Sequence, residues 1–470
     1  MTASNQTKTN TTKTIVPLMA ALLVAIFAFQ LNSSMLSPAL VQMQTELNTT
    51  SVEVGNSQTV FFTACAVFSL FLPRLADLVG RRKVLCGMLA ITGAGCLVSA
   101  MAPNITVLMV GRVAQGVAGP VVPMCLIMLH EEVQDNARYA KLMAILTSVN
   151  GGIAGVDALF GGWLAGNFGF RSVFLTMAVV AIVAVVLVWV FSCESTAAET
   201  PKMDWHGACL LGLAFLFAYL GINEAQNLAA AKWDLVVVMV LVAALFFVQF
   251  YRTEKRKKNP MVSTKYLKQR RTWGLLLTTL LTMTGVFAVM NGVVPAIAQD
   301  ATLGVAMGAD VVSFATLTPY ALLGLAFGPI AGILASKFGY HMVLRAGLVV
   351  SILGVAFGIY VANSPSVPAL VAISVVLGIS YAGCANIMLN GLGIVLSPKD
   401  NPGYLPGMNA GAFNLGAGLS FTVLYSAMNA ITAISGTAAG YAASMVAGII
   451  LLALALLTSF LIPKNADTPA

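Results

Sequence analysis

Charge is what this sequence has least of. Asp, Glu, Lys and Arg make up 9% of its 470 residues, where a soluble domain carries about 25%. Folded in water, such a chain would expose apolar patches large enough to aggregate. Several signatures are missing as well. No Gly-x4-Gly-Lys-Ser/Thr phosphate loop occurs, which argues against ATP-driven transport, and there is neither a nucleophile elbow nor an HExxH pair, so no catalytic residues are expected. The seven cysteines (Cys65, Cys86, Cys96, Cys125, Cys193, Cys209 and Cys384) form no CxxC and are odd in number. They read as small apolar packing residues rather than a disulfide frame. His130, His206 and His341 lack metal-ligand spacing, so no metal site is expected.

What the chain does have is hydrophobicity, at 59% apolar residues and a mean hydropathy of +0.89. It is gathered into runs of about 20 residues, the length at which a helix crosses a bilayer core. Lipid offers the backbone no hydrogen bonds, so each run must be helical. The alternation of a β-barrel is absent. The pattern predicts an all-α polytopic membrane protein with fourteen spans. The first thirteen residues are polar, no small-residue cleavage site follows the first span, and the stretch reads as a disordered cytoplasmic tail. The expected division is a tail over 1–13, a six-helix lobe over 14–193, a two-helix insertion over 194–251, a basic linker over 252–272, a second six-helix lobe over 273–462 and a tail over 463–470.

Basic residues set the expected orientation. With both termini inside, Lys8, Lys13, Arg74, Arg81, Arg82, Lys83, Arg138, Lys141, Lys202, the cluster from Arg252 to Arg271, Lys337, Arg345, Lys399 and Lys464 are cytoplasmic. Arg171 and Lys232 fall outside, and Arg112 falls within a span. This one-sidedness is what the positive-inside rule demands. The basic run Arg252–Lys258 then reads as a topology anchor on anionic lipid, not a nucleic-acid patch. The expected location is the inner or plasma membrane, with the bilayer and a small molecule as partners and no nucleic acid.

The chain also repeats itself. Ala76-Asp-Leu-Val-Gly80 follows the second span, and Ala335-Ser-Lys-Phe-Gly339 follows the tenth. Equivalent loops in two halves are the trace of a duplicated six-helix lobe about an axis along the membrane normal.

Asp77-x2-Gly80-Arg81-Arg82 after span two, Arg112-Val-Ala-Gln115-Gly116 in span four, Asp204-Trp205-His-Gly207 and Asn259-Pro260 carry a family resemblance. The chain resembles the major facilitator superfamily and, within it, the fourteen-span drug:proton antiporters. The resemblance implies a monomer that works by alternating access, with protons as coupling ion and no other cofactor. It also implies that Asp77, Gly80, Arg81 and Arg82 latch the lobes together on the cytoplasmic side when the outer side is open. Chemically, Gly80 permits a tight turn, and Asp77 is placed to accept hydrogen bonds from helix N-terminal amides or from Arg81.

Three departures from that pattern stand out. Pro73 replaces the glycine that opens the loop, and span one carries Gln30-Leu-Asn32-Ser33-Ser34 where the family has an acid. In span five the antiporter Gly-Pro-x-x-Gly-Gly element has become Asp157-Ala158-Leu-Phe-Gly161-Gly162. Asp157 is the one acid placed deep in a span, where a charge costs at least about 2.5 kcal/mol and is retained chiefly for function. It is the leading candidate to bind and release a proton. Glycines at 151, 152, 155, 161 and 162 would let a neighbouring helix approach it closely. The bland alternative is a structural ion pair with Arg112. Arg112 itself either takes part in proton transfer, as the resemblance implies, or snorkels to the outer interface.

Further polar or aromatic residues in lobe-facing helices are candidates to line a cavity. They are Gln30, Asn32, Asn56, Gln58, Gln115, Asn150, Asn291, Tyr320, Tyr381, Asn386, Asn390, Asn409 and Asn414. Asn386 and Asn390 share a helix face. Two functions are open at this point. The leading one is proton-coupled export of a small amphipathic compound, as in the drug:proton antiporters, and the alternative is proton-coupled uptake of a metabolite, suggested by the lost Gly-Pro. A sensor or scaffold is disfavoured because no large soluble domain is present.

Overall fold

The computed structural model describes residues 3–133, 135–194, 204–227, 231–257, 264–398 and 404–463, without the side chains of 3–14, 136, 137, 140, 141, 144, 147–154 and 264. The side chain of Asn150, the glycines at 151 and 152, and Asn259-Pro260 therefore lie outside the described residues.

Lobe 1 comprises α1 (Ala3–Ser34) with a short continuation α2 (Leu40–Glu46), α3 (Ser51–Val79), α4 (Arg81–Ala100), α5 (Ile105–Gln115) continued by α6 (Val121–Glu132), α7 (Asn136–Phe168) and α8 (Phe170–Phe191). The inserted hairpin is α9 (Trp205–Ala225) and α10 (Trp233–Arg256), followed by the single turn α11 (Thr264–Leu267). Lobe 2 comprises α12 (Arg270–Ala288) continued by α13 (Val294–Gln299), α14 (Ala309–Ala315) leading into α15 (Leu317–Phe338), α16 (Tyr340–Asn363), α17 (Val367–Leu377) continued by α18 (Asn386–Val395), α19 (Tyr404–Ser435) and α20 (Thr437–Thr458). Among the described residues, 13 helical stretches are long and apolar enough to cross a membrane. The 33-residue α7 lies between the fourth and fifth of them and completes the expected fourteen. The protein is a multi-pass α-helical membrane protein.

Two expected boundaries move. Helix α1 starts at Ala3, so the stretch read as a disordered tail is helical from that residue. No Gly or Pro interrupts 3–16, and once the apolar part nucleates the helix each added residue gains a backbone bond. Likewise α10 runs to Arg256, so the linker expected over 252–272 begins as helix. Its Arg, Glu and Lys are good helix formers whose long stems reach out of the apolar layer.

Helix ends follow local chemistry. Thr50 and Glu53 form a reciprocal capping box at the start of α3, and Asn104 caps α5 by accepting from Val107 N–H. The hairpins α3/α4 and α15/α16 each turn on one glycine with positive φ, Gly80 at 114° and Gly339 at 83°. An L side chain is strained there. Gly169 and Gly436 do the same for α7/α8 and α19/α20, so the turns recur at matching places in the two lobes, as the sequence repeat suggested.

The end of the bundle that holds Arg81, Arg82 and Arg252–Arg271 is called the basic end here, and the opposite end the far end. The lobes meet along two seams. In one, α3 packs on α19: Thr59 Oγ1 lies 2.8 Å from both Gly418 O and Thr422 Oγ1. In the other, α7 packs on α14 and α15: Thr318 Oγ1 donates to Gly155 O at 3.1 Å and Ser313 Oγ to Ala158 O at 3.0 Å. These contacts belong to the far half. Towards the basic end, Gly407 and Gly411 of α19 have no neighbour within 4 Å of where a side chain would begin, so the lobes diverge there.

The inserted hairpin covers the α3–α19 divergence from one side. Leu210 and Leu211 of α9 and Phe250 of α10 are buried against Leu70 of lobe 1 and against Tyr404 and Met408 of lobe 2. At its basic end Asp204 caps α9, accepting from Gly207 N–H at 2.8 Å, and pairs with Lys257, which also reaches Glu254 at 3.2 Å. Partial burial works against ionisation of Asp204. Its bonds to Glu254 and to the Lys257 ammonium outweigh that and hold the carboxyl below its ordinary value.

Candidate functional site

Among the described residues, Arg112 is the largest fully buried side chain. Its Nη1 donates to Gln115 Oε1 at 2.7 Å and to Asn32 O at 3.3 Å, Nη2 to Gln58 Oε1 at 2.8 Å, and Nε to Ser57 O at 3.4 Å. The guanidinium lies 4.1 Å over the Phe61 ring centroid. Around it, Gln115 Nε2 donates to Ser99 Oγ at 2.9 Å and Cys96 Sγ contacts Asn32 Oδ1 at 3.3 Å. Two sequence expectations fall here. Arg112 does not snorkel, because it points across lobe 1 into α1 and α3. It also makes no ion pair with Asp157, because neutral oxygens and a ring face supply its hydrogen bonds and charge stabilisation. Asn32, Gln58 and Gln115 are therefore ligands of a buried cation rather than cavity-lining residues. Gln58 Nε2 is left without a partner.

Asp157 is 2% exposed. Its Oδ2 lies 2.5 Å from Ser34 Oγ, and among the described residues its buried Oδ1 has no side-chain hydrogen-bond partner. Its position explains the enclosure. The carbonyls of Gly155 and Ala158, on either side of it, accept from lobe 2. Gly161 lies against Met35, and Gly162 against Ala309 and Pro38. The carboxyl thus sits inside the closed contact between the lobes, on the far half, where small residues let the helices touch.

Ser34 links Asp157 to the interior of the molecule. Its Oγ lies 3.1 Å from both Gln30 O and Gln30 Nε2, one turn back along α1. Gln30 belongs to a stripe with Val16, Ala20, Leu23 and Phe27, at helical spacing on one face. That face is exposed at the basic end (Val16 67%) and buried at Ser34 (5%). One turn beyond Ser34, Ser37 contacts Asn291 of lobe 2 at 3.4 Å, so the stripe faces the other lobe. The space between the lobes opens at the basic end and closes at Ser34–Asp157.

Lobe 2 presents its side of that space on irregular backbone. Two helices relax into π-helical turns, Val289–Val293 holding Asn291 and Gly378–Ala385 holding Tyr381. Such turns are frequent at functional sites. Tyr381 Oη reaches Met283 Sδ at 2.6 Å, and its ring lies parallel to that of Tyr320, at 11° and 6.5 Å between centroids. Asn390 donates to Asn386 Oδ1 at 3.0 Å, as expected from their spacing. Asn414 shares the α19 face that carries Gly407, Gly411 and Gly418. At the far end Tyr425 fills the gap between Gly55 and Gly292.

Two candidates lie elsewhere. Asn56 donates to Asn223 of α9 at 3.0 Å, so it holds the hairpin on lobe 1 instead of lining the cavity. Asn409 accepts from Thr279 Oγ1 at 2.7 Å and donates to Leu389 O at 3.3 Å, a tie among α12, α18 and α19 inside lobe 2. In both cases a single amide in a span found a neighbouring helix.

The loop at Gly80 is engaged within lobe 1. Arg81 donates to Asp77 Oδ1 at 2.8 Å and pairs with Glu131 of α6. The Arg82 amide donates to Glu194 at 3.1 Å, and its guanidinium lies 4.8 Å over Trp189. None of these partners belongs to lobe 2, in keeping with lobes that are apart at this end. Sequence reasoning did not single out Ser34, Ser37, Thr59, Thr318 or Tyr425. Single hydroxyls in apolar spans are too common to signal a role before their partners are known.

The sequence profile of the Major Facilitator Superfamily matches residues 22–421. The uridine/deoxyuridine transporter of Lactococcus lactis subsp. cremoris (strain MG1363) is 57% identical over 458 residues, covering 96% of this chain and 95% of that protein. A multidrug resistance protein B homolog of Mycobacterium tuberculosis (strain ATCC 25618 / H37Rv) is 26% identical over 330 residues, covering 68% of this chain and 58% of that protein. Among solved structures, a mutant of the nucleoside transporter NupG superposes with a TM-score of 0.62 at 15% identity, over 94% of this chain and 100% of that one. A POT family transporter bound to 5-aminolevulinic acid superposes with a TM-score of 0.69 at 14% identity, over 95% and 96%.

Proposed function

Since the chain belongs to the major facilitator superfamily, we propose that it is a proton-coupled importer of a pyrimidine nucleoside of the uridine kind. The observation that carries the substrate class is the 57% identity, over nearly the whole of both chains, to a uridine/deoxyuridine transporter. The drug-efflux reading of the resemblance rests on relatives near 26% identity and gives way to it.

The chemistry of the cavity supports the same reading. Gln30, Asn291, Asn386, Asn390 and Asn414 are neutral amides, each with donors and acceptors. A uridine-type nucleoside is neutral and offers sugar hydroxyls, an imide N–H and two carbonyls. Amides match that pattern, and no countercharge is needed. Tyr320, half-buried and backed by the parallel ring of Tyr381, adds flat apolar surface on which a base can stack.

In this reading the basic end is cytoplasmic, following the positive-inside rule, and the conformation is open to the cytoplasm. Asp157 lies in the closed outer contact, where a charge would be expensive. A proton taken up from outside lets the outer contact close over a neutral carboxyl, and the lobes rock open on the other side. Loss of that proton to the cytoplasm completes an inward cycle. The test is uptake of radiolabelled uridine into proteoliposomes, with and without an inwardly directed proton gradient. The reading requires gradient-driven accumulation that a protonophore abolishes and that deoxyuridine competes. Uridine uptake indifferent to the proton gradient would overturn the coupling, and no uridine uptake would overturn the substrate class.

A further inference from the structure

The chain Asp157–Ser34–Gln30 contains a hydrogen-bond count that goes beyond the role of Asp157 alone. Ser34 Oγ has one proton and two lone pairs. It lies within bonding distance of three groups: Asp157 Oδ2 at 2.5 Å, Gln30 Nε2 at 3.1 Å and Gln30 O at 3.1 Å. Gln30 Nε2 only donates and Gln30 O only accepts. All three bonds exist together in one arrangement only. The Asp157 carboxyl donates its proton to Ser34, Gln30 Nε2 donates to Ser34, and the Ser34 hydroxyl donates to Gln30 O. An ionised Asp157 would take the Ser34 proton for itself, break the Ser34–Gln30 O bond, and place an anion where, among the described residues, Oδ1 has no side-chain partner. Among the described side chains, the charged and titratable groups on the elements packed around it are Arg138 and Tyr139 on α7, Arg171 on α8, Cys125, His130, Glu131 and Glu132 on α6, Asp310 on α14, and Tyr320 and Lys337 on α15. Among the described residues none of them pairs with Asp157, and Arg171 is committed to Glu46.

We propose that Ser34 is the positioning residue that couples substrate to proton, joining the neutral carboxyl of Asp157 to the amide of Gln30, which faces the open space between the lobes. The proposal rests on the nucleoside–proton reading above. Ser34 touches no substrate and acts through its neighbours. A nucleoside carbonyl that accepts the second N–H of the Gln30 amide fixes that amide while it donates to Ser34, so substrate and the protonated carboxyl favour each other, as symport requires. Occupancy of the cavity is thereby read at a carboxyl one helix turn further in. The proton itself is not consumed: it is held on Asp157 Oδ2 or released to water, with no bond to substrate.

Infrared difference spectroscopy of the purified full-length protein, between acidic and alkaline buffer, tests this. The C=O stretch of a protonated buried carboxyl is resolved, and the band lost in Asp157→Asn belongs to Asp157. In Ser34→Ala we expect that band to shift and its titration midpoint to move, while Ser34→Thr restores both. Adding uridine should perturb the band in the wild type and leave it unmoved in Gln30→Ala. If Ser34→Ala does not purify as folded protein, Ser34→Cys, with its weaker hydrogen bonds, is read the same way. An Asp157 band and midpoint indifferent to every Ser34 change overturns the coupling role of Ser34 and leaves the proton site standing. No band lost in Asp157→Asn overturns the proton site itself, and the Ser34 role with it.

Discussion

Arg112 and Asp157 lie buried in the same lobe and are not paired: the guanidinium is held by Gln58, Gln115, Asn32 and Ser57, and the carboxyl by Ser34. The two halves of a potential ion pair have been given separate neutral partners. A buried cation and a buried acid held apart in this way leave the acid free to change protonation without dismantling the lobe.

Arg112 therefore belongs to the framework of lobe 1 as much as to transport. Its removal would leave the side-chain oxygens of Gln58 and Gln115 in the core without the donor that holds them. Arg112→Ala is expected to destabilise the protein by about 1–3 kcal/mol, the cost of leaving buried polar partners unsatisfied, seen as a fall in thermal denaturation midpoint in detergent. Arg112→Lys should recover only part of this, because an ammonium cannot reproduce the planar fork. A midpoint within a degree or two of wild type for Arg112→Ala would contradict the network.

Closure at the far half depends on glycines. A Cβ at Gly155 would lie 2.8 Å from Ala321 Cβ, and one at Gly55 would lie 3.2 Å from the Tyr425 ring. Gly155→Val is expected to wedge α7 off α15 and favour the opposite conformation. The measurement is labelling of a cysteine placed at Ser37 by a membrane-impermeant thiol reagent from the far side. Faster labelling than in the unsubstituted background is expected, with uridine exchange reduced at least tenfold. Unchanged labelling would show that the seam tolerates bulk.

Asp77 holds Arg81 within lobe 1 in the basic-end-open conformation. Asp77→Asn weakens an exposed pair worth about 0.3–1 kcal/mol, so stability should change little. Any larger effect has to come from the opposite conformation, in which the family resemblance makes this loop an interlobe latch. The expected result is near-normal denaturation with altered two-sided cysteine accessibility. Accessibility equal to wild type from both sides would remove the latch.

Lys257 is the cation shared by Asp204 and the buried Glu254 at the root of the inserted hairpin. Lys257→Ala should loosen the hairpin at a cost of about 1–3 kcal/mol. Because Asp204 is held below its ordinary value, the contribution of the clamp is present above the unfolded carboxylate pKa and is lost as pH falls through the depressed one. A denaturation profile between neutral and acid pH checks this. The gap between wild type and Lys257→Ala should close at the acid end, and a constant gap would contradict the clamp.

The membrane class, the fourteen spans and the duplicated loops were legible in the sequence because each rests on a bulk or local property: run length, basic residues, and a glycine where φ must be positive. Asp157 was legible because a lone acid in an apolar span is costly. Its partner was not legible. Arg112 was the obvious candidate by charge, but hydrogen-bond partners depend on which helix faces which, and Ser34 carries no charge to mark it. The amides show the same limit. Asn56 and Asn409 tie helices together, and nothing in their immediate sequence separates them from Asn291, Asn386, Asn390 and Asn414. Helix α1 begins earlier than its composition suggested because polar residues continue a helix that apolar ones have nucleated.

The most direct test of the account is to compare net accumulation with exchange in Asp157→Asn. Reconstituted protein is loaded with unlabelled uridine and offered labelled uridine outside at equal pH, and separately is given an inward proton gradient with no internal substrate. A permanently neutral side chain should permit the lobes to rock with substrate bound. The account therefore predicts counterflow within about threefold of wild type and gradient-driven accumulation abolished. Accumulation at the wild-type level in this variant would contradict it.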